Sequence, residues 1–480
     1  MQKISDKNFS WQILLKLKIN PNTPEKISHQ PTGQARTNKF CLCHNDFMEV
    51  KVIGAGLAGS EAALQLAKRG IKVKLYEMRP VKTTGAHKTD KFAEFVCSNS
   101  LGAADCTNAS GLLKKEMELL GGELIKIARA CAVPAGSALA IDRELFSQTV
   151  TEKIENNDNI EVIREEIAEI PDGNVIIASG PLTSDKLSES IKEFTQNEHL
   201  HFFDAIAPIV EKDSIDFDKA FWASRYDKGE ASYINCPMNK DEYAKFYEIL
   251  TNAPKIELKE FEKNAKFFES CLPIEVLASR GVDTLRFGPM KPVGLVDKRT
   301  GIENYAVVQL RQDNSAKTLF NLVGFQTNLK WGAQKELLQS IPGLENVNIV
   351  RYGVMHRNTF INSPKLLNPS LQTRKRENLF FAGQITGTEG YTESIASGLL
   401  AGINMVNYLE NKPLLVLPKE TMLGALTQYI TDVEHDKFQP INSNWGIVTP
   451  VELPKKERKN KKLKAELIVN RSVEYLNNLV

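Results

Sequence analysis

Three glycines and one acid carry the first chemistry legible in this sequence. Gly54, Gly56 and Gly59 stand in G-x-G-x-x-G spacing, and Glu77 follows about 20 residues later. Such a string suits the pyrophosphate of a dinucleotide. Gly54 permits a tight turn, Gly56 lets the phosphates approach the backbone, and Gly59 lets a helix pack closely on a strand. Free N–H groups at the helix start face the phosphates, so the binding set is Gly54, Ala55, Gly56, Leu57, Ala58 and Gly59, with Glu77 for ribose hydroxyls. A second string, Gly383, Gln384, Gly387, Gly390 and Tyr391, runs into a helix that carries Ser394. A loop of this kind approaches the ribityl chain and ring of FAD, and its helix N-terminus stabilises negative charge on a reduced flavin. Tyr391 could stack on a ring. In an ordinary α/β protein the same glycines would make only tight turns and a close helix contact.

The elements that must hold these residues can be read around them. Val50, Val52 and Ile53 make a short buried strand, a helix spans about 57–69 and stops at Gly70, and Val73 and Leu75 alternate up to Glu77. A loop-rich segment, 78–111, precedes helical patterns to about 155, broken at 134–136. Residues 174–180 and 378–383 are further strands, and small residues at Ala396, Gly398, Ala401 and Gly402 allow the last helix to pack closely. The expected architecture is α/β: a Rossmann-like FAD-binding domain interrupted by an inserted mixed α/β domain. It divides into an N-terminal extension (1–47), a first FAD-binding segment (48–205), an inserted substrate domain (206–345), a second FAD-binding segment (346–450) and a basic C-terminal tail or helix (451–480).

Composition narrows the class. With 480 residues, 42% hydrophobic and 25% charged, the chain suits two or three globular domains. No apolar run approaches the roughly 18–20 residues of a membrane span. Seven scattered cysteines make no disulfide framework, and Cys41 and Cys43 lack a second ligand pair, so no metal site is expected. A reducing cytoplasm fits. The net charge of +2 hides basic ends: residues 1–47 hold seven Lys/Arg against three acids, and 455–464 hold seven against one. Basic ends on an acidic body suit contact with an anionic polymer, although a basic run is also what a solvated helix or frayed tail shows. The first 47 residues have neither a signal-peptide core nor the arginines of a transit peptide, and read either as a disordered extension or as untranslated, with synthesis beginning at Met48.

Seven strings then make a family resemblance specific. GAHKTDKFAEFVCSNSL (85–101), VPAGSALAIDRELFS (133–147), ASGPLTSD (178–185), SRYDKGEASYINCPM (224–238), FESCLPIEVLASRG (268–281), LRFGPMKPVGL (285–295) and FAGQITGTEGYTESIASGLLAG (381–402) occur in order. Together they resemble the folate- and FAD-dependent tRNA (uracil-5-)-methyltransferases, TrmFO, and the FAD half also resembles the related GidA/MnmG flavoproteins. The resemblance implies methylation of uridine 54 in the tRNA T loop to 5-methyluridine. The carbon would come from 5,10-methylenetetrahydrofolate, and the reducing equivalents from NADH or NADPH through FAD. Alternatives are the same chemistry on a 23S rRNA uridine, a GidA-like wobble-uridine modifier, and a non-catalytic flavin- and RNA-binding scaffold. No obligate protein partner and no membrane are implied.

Uracil C5 becomes nucleophilic once a thiolate adds to C6. The resemblance implies that Cys271 is that thiolate and that Cys97 sits beside the flavin. Arg286 and Lys291 could bind a folate glutamate tail or RNA phosphate, both anionic, or be ordinary surface charges, and the resemblance places His356 and Arg357 in the flavin surroundings. His87, Lys88 and Asp90 would line the flavin or form a surface loop. Phe325 and Trp331 would stack on a pterin or base, or belong to the core. Cys236 is a lesser catalytic candidate, and Cys106 and Cys131 read as small buried hydrophobes.

Overall fold

Alternating valines make β1 (Glu49–Ile53) the middle strand of a parallel sheet, with Val50 and Val52 fully buried. The structure is a computed structural model. It describes residues 49–479 except 85, 197–199, 206, 257–271, 303, 354, 435–437, 455, 458 and 459, and gives only the backbone of 200–205 and 355–357. The extension 1–47, with Cys41 and Cys43, therefore lies outside the described residues.

From β1 the chain turns at Gly54 into α1 (Leu57–Lys68), buried from Leu57 to Ala67, and β2 (Lys72–Tyr76) returns parallel to β1. Next come β3 (Ser100–Ala103), α2 (Ala109–Leu119), α3 (Leu124–Ala130), β4 (Ala132–Val133), β5 (Ala138–Ile141) and α4 (Arg143–Glu155). The three strands form a small sheet in the order β3-β5-β4, where the sequence pattern predicts loop and helix alone. They are too short, at two to four residues, to show an alternation. Asp142 starts α4, its carboxylate accepting the Glu144 and Leu145 N–H groups at 3.0 and 3.1 Å. Strands β6 (Ile160–Ile163) and β7 (Asn174–Ile177) and helix α5 (Asp185–Thr195) close this half.

The chain leaves on β8 (Leu200–Ala205) and builds a second domain. Its elements are β9 (Ile209–Glu211), β10 (Phe221–Ala223), β11 (Tyr233–Met238), α6 (Lys240–Asn252), α7 (Ile274–Ala278), α8 (Thr284–Phe287), β12 (Ala306–Gln312), β13 (Leu319–Leu322), α9 (Trp331–Gln339) and β14 (Ile349–Arg351). The antiparallel order is β10-β11-β12-β13-β9-β14, around a core that includes Phe246, Phe320 and Phe325. Strand β14 lies past residue 345, so this sheet reaches further along the chain than the boundary expected from sequence. The return strand, β15 (Met355–Phe360), pairs antiparallel with β8.

After α10 (Ser363–Leu366), β16 (Leu379–Phe381) pairs with β7 and completes the parallel order β16-β7-β1-β2-β6. Helix α11 (Tyr391–Leu409) then lies against α1. A Cβ on Gly398 would run into the Ala58 carbonyl, and one on Gly402 would stand 2.9 Å from Gln65 Cβ, so both positions require glycine for this approach. Two more helices follow, α12 (Met422–Ile430) and α13 (Lys461–Leu479). Among the described residues no helix is long and apolar enough to cross a membrane.

Within the basic run 455–464 the described residues Lys456, Lys461 and Lys462 are exposed, and the run leads into a helix that is packed. Helix α13 packs on α2 and buries Ala465, Ile468, Val469, Ser472 and Leu476, while Lys461 and Lys462 face outward. Fully buried Glu116 on α2 ties the helices together. Its carboxylate accepts the Met422 and Leu423 N–H groups at the start of α12, at 2.6 and 2.8 Å, and the Ser472 hydroxyl of α13 at 2.5 Å. Burial pushes this carboxyl up to about 7, against hydrogen bonds that favour its charge. Because the folded value lies above the unfolded one, its stabilising contribution is full below about pH 4.5 and is lost as pH rises through about 7. The group should therefore remove about 3 kcal/mol of stability between pH 5 and 8, and Glu116→Gln should flatten that slope. Denaturant unfolding at both pH values checks this; identical slopes in parent and variant would refute it.

Candidate active site

The C-terminal ends of β1, β7 and β16 and the N-termini of α1 and α11 surround one cleft. It encloses about 1010 Å³ out to its open mouth. Nine of the thirteen residues assigned to FAD from sequence line it: Gly54, Gly56, Leu57, Ala58, Glu77, Gly383, Gln384, Tyr391 and Ser394. The other four shape it. A Cβ on Gly59 would strike the Gly54 carbonyl, one on Gly387 would strike the Phe438 ring, Gly390 precedes α11 with φ 115°, and the Ala55 N–H donates to Glu77 at 3.0 Å.

Gly56 is different. No atom stands within 4 Å of the Cβ position there, so its lack of a side chain serves open space and not packing. That space adjoins the first turn of α1, whose N–H groups have no intrahelical acceptor. Glu77 is held from the other side. Burial opposes its charge, but the guanidinium and N–H of Arg79 and the N–H of Ala55 outweigh it, leaving the carboxyl below its usual range. Arg79 donates to it from Nε at 2.9 Å and also meets Glu94 at 3.2 Å. A cradle without a side chain, free helix N–H groups and a charged acid at the strand end together fit the diphosphate and ribose of FAD.

The Cys97 loop lies against the far end of the cleft. Val96 lines the cleft, and half-buried Cys97 follows it. The Cys97 N–H donates to the Tyr391 hydroxyl at 2.7 Å, and the Tyr391 ring packs edge-on against Phe95 at 4.4 Å. Arg143, at the start of α4, donates to the carbonyls of Phe95 and Cys97 at 3.1 and 3.0 Å and pairs with Asp313 at 2.9 Å. Asn99 donates to the carbonyls of Ile141 and Gln312 at 2.9 and 2.8 Å. The loop therefore occupies the seam between the nucleotide domain and the second domain.

Other residues named from sequence are distributed differently. His87 lines the cleft with its Nδ1 2.6 Å from Thr84 Oγ1, whereas Lys88 and Asp90 are exposed. Cys271 lies outside the described residues, as do the side chains of His356 and Arg357 on β15. Arg286 is occupied within the second domain: it pairs with Asp283 at 2.6 Å and lies 3.5 Å over the Tyr305 ring. Lys291 is exposed, and neither residue lines the cleft. Cys236 is fully buried in β11 and burial pushes its thiol up, which leaves it no access to a substrate. Cys131 is buried, and Cys106 only half-buried. Phe325 is core, but Trp331 is 61% exposed and stacks on Tyr352 at 5.4 Å. Sequence reasoning missed Arg79, Glu94, Arg143 and Asn99. Arg79 had a signal, standing two residues after the strand-end acid.

Fold and cleft define an FAD-binding, Rossmann-like flavoprotein of the GidA type. Residues 49–413 match the family described as Glucose inhibited division protein A. Solved Aquifex aeolicus GidA has the same fold: TM-score 0.64 at 19% identity, covering 90% of this chain and 74% of that one. The curated relative from Anoxybacillus flavithermus is 60% identical over 433 residues, which is 90% of this chain and 99% of the relative. That from Bacillus subtilis strain 168 is 60% identical over 425 residues, 88% of this chain and 97% of its own. Both are named Methylenetetrahydrofolate--tRNA-(uracil-5-)-methyltransferase TrmFO. The chain belongs to the TrmFO family.

Two glycines separate binding from folding. Gly59→Ala should cost about 1–3 kcal/mol through its backbone clash. Gly56→Ala should fold normally yet lose FAD by about tenfold or more, because its methyl enters only the open cradle. Thermal unfolding and the flavin-to-protein absorbance ratio distinguish the two, and a fully yellow Gly56→Ala protein would remove the assigned role of that glycine.

Proposed function

We propose that this protein is a folate-dependent tRNA (uracil-5-)-methyltransferase, with uridine 54 of the T loop as its target and NADH or NADPH as its reductant. The observation that carries the reading is the nearly end-to-end match, at 60% identity, to relatives named for that activity. The placement of the Cys97 loop against the cleft supports it.

The residues divide the work by position. Gly54–Gly59 with the first turn of α1 hold the diphosphate of FAD, Glu77 the adenosine side, and Gly383–Gly390 with Tyr391 the ring side. Held there and reduced, FAD would supply the hydride needed to turn a transferred methylene into a methyl group. Cys271 adds to uracil C6, which makes C5 a nucleophile toward the folate one-carbon unit. A carbon–carbon bond forms at C5, the carbon–nitrogen bond to folate breaks, the C5 proton leaves, and the thiolate departs from C6. Cys97, whose backbone is held by Tyr391 and Arg143 next to cleft-lining Val96, assists the carbon transfer. Positive groups around that loop favour a thiolate there. None of the four described cysteines is in a disulfide, which suits the cytoplasm. Exposed Lys461 and Lys462 add to RNA affinity by counterion release. Because α13 is part of the core, charge substitution at these lysines, and not removal of the tail, is the way to test that contribution.

Purified protein incubated with NADPH, methylenetetrahydrofolate labelled in its one-carbon unit, and either unmodified tRNA or, in parallel, unmodified 23S rRNA should place the label in 5-methyluridine at position 54 of the tRNA. Label only in 23S rRNA would move the target, and label in neither would end the proposal. Cys97→Ser and Cys271→Ser should each lower product by about a thousandfold or more while keeping FAD. A Cys271→Ser enzyme of parental activity would overturn the assignment of the nucleophile.

A further inference from the structure

Two arginines of the second domain reach across the seam to the segment that carries Cys97. Arg311, in β12, is only 9% exposed. It donates from Nε to Asn99 Oδ1 at 3.0 Å and from Nη2 to Ser98 Oγ at 2.9 Å. Arg351, the last residue of β14, donates from Nη2 to the Val96 carbonyl at 2.6 Å and to the Ala86 carbonyl at 3.3 Å. With Arg143 and Tyr391, the segment from Phe95 to Asn99 is gripped from two strands of one domain and two helices of the other.

Holding two domains together does not require this. Apolar contacts would do it without taking guanidiniums out of water. Here burial lowers the pKa of both arginines, while the Cys97 charge acts in the opposite sense on each, so both lie within electrostatic reach of that thiol. Other charged or titratable groups at the seam are Arg143 with its partner Asp313, Tyr233, Tyr391, Glu94 and Asp142, which accepts the Ser315 N–H. Glu94 is itself engaged by Arg79 and Thr89.

We propose that Arg311 and Arg351 are positioning residues for Cys97. They hold its loop against the flavin cleft and favour its thiolate, so that Cys97 is set for reaction only while the second domain is seated on the nucleotide domain. The meaning of this role rests on the methyltransferase reading; its first readout does not. The test uses the full-length, FAD-loaded protein and the variants Arg351→Gln, Arg351→Lys and Arg311→Lys. Alkylation of Cys97 by iodoacetamide is followed across pH by mass spectrometry of its peptide, beside FAD content and the kcat and KM for tRNA methylation. In Arg351→Gln, alkylation at pH 7 should slow by roughly three- to tenfold and its profile should move to higher pH. The two lysine variants keep the charge but lose the planar fork. They should retain the parental profile while kcat falls by about tenfold or more with little change in KM. Parental profiles and parental kcat in all three variants would overturn the proposal. So would losses that only track lost FAD, for which the lysine variants are the milder check. If the parent forms no 5-methyluridine and the Arg351→Gln profile still shifts, the arginine role stands and the methyltransferase reading alone fails.

Discussion

Helices α1 and α11 meet where Gly398 lies on the Ala58 backbone and Gly402 on Gln65 and Ala62, and that contact sets the geometry of the cleft. One helix begins at the first glycine string, the other at the second, and more than 300 residues of chain separate the two strings. Dispersion between closely packed backbones keeps both N-termini at one end of the parallel sheet. Their unpaired N–H groups then supply a fixed positive potential without any charged side chain. A methyl at either glycine would drive the helices apart and separate the halves of the site.

The second domain is tied to this frame by polar contacts more than by a shared core. Its own hydrophobic cluster is distinct from that of the nucleotide domain. What crosses the seam beside the cleft is a set of directional bonds: Arg143 to Asp313, Asn99 to Gln312, and the Ser315 N–H to Asp142 at 2.8 Å. Such bonds depend on orientation and fade quickly with displacement, so they register one domain against the other better than an apolar surface would. Nearly all converge near the loop bearing Cys97. The joint and the reactive thiol are therefore one structural feature.

Buried acids organise the back of the molecule. Glu116 and Glu61 are carboxylates that cap helices other than their own: Glu116 caps α12, and Glu61 accepts the N–H groups of Glu123 and Leu124 at the start of α3. Burial raises the pKa of both. Each satisfies helix donors that would otherwise be orphaned in the interior. Through Glu116, the C-terminal helix becomes an integral element of the fold despite its basic approach.

Local pattern alone was enough for some of this. The G-x-G-x-x-G string, its flanking alternation and the strand-end acid specify their own backbone, because turn, helix start and strand are set by neighbours within a few residues. The family strings carried the activity for the same reason: they are contiguous. The short strands between α2 and α4, the exposed Trp331–Tyr352 stack and the docking of α13 were not legible, since each depends on a partner distant in sequence. Arg311 and Arg351 are the clearest case. In sequence each is a single charge in or at the end of a short strand, and only the tertiary structure aims both at one loop more than 200 residues upstream. A hydrogen bond across that distance has no local periodicity to announce it, so the sequence determined what the cleft is made of, and folding decided which charges surround its thiol.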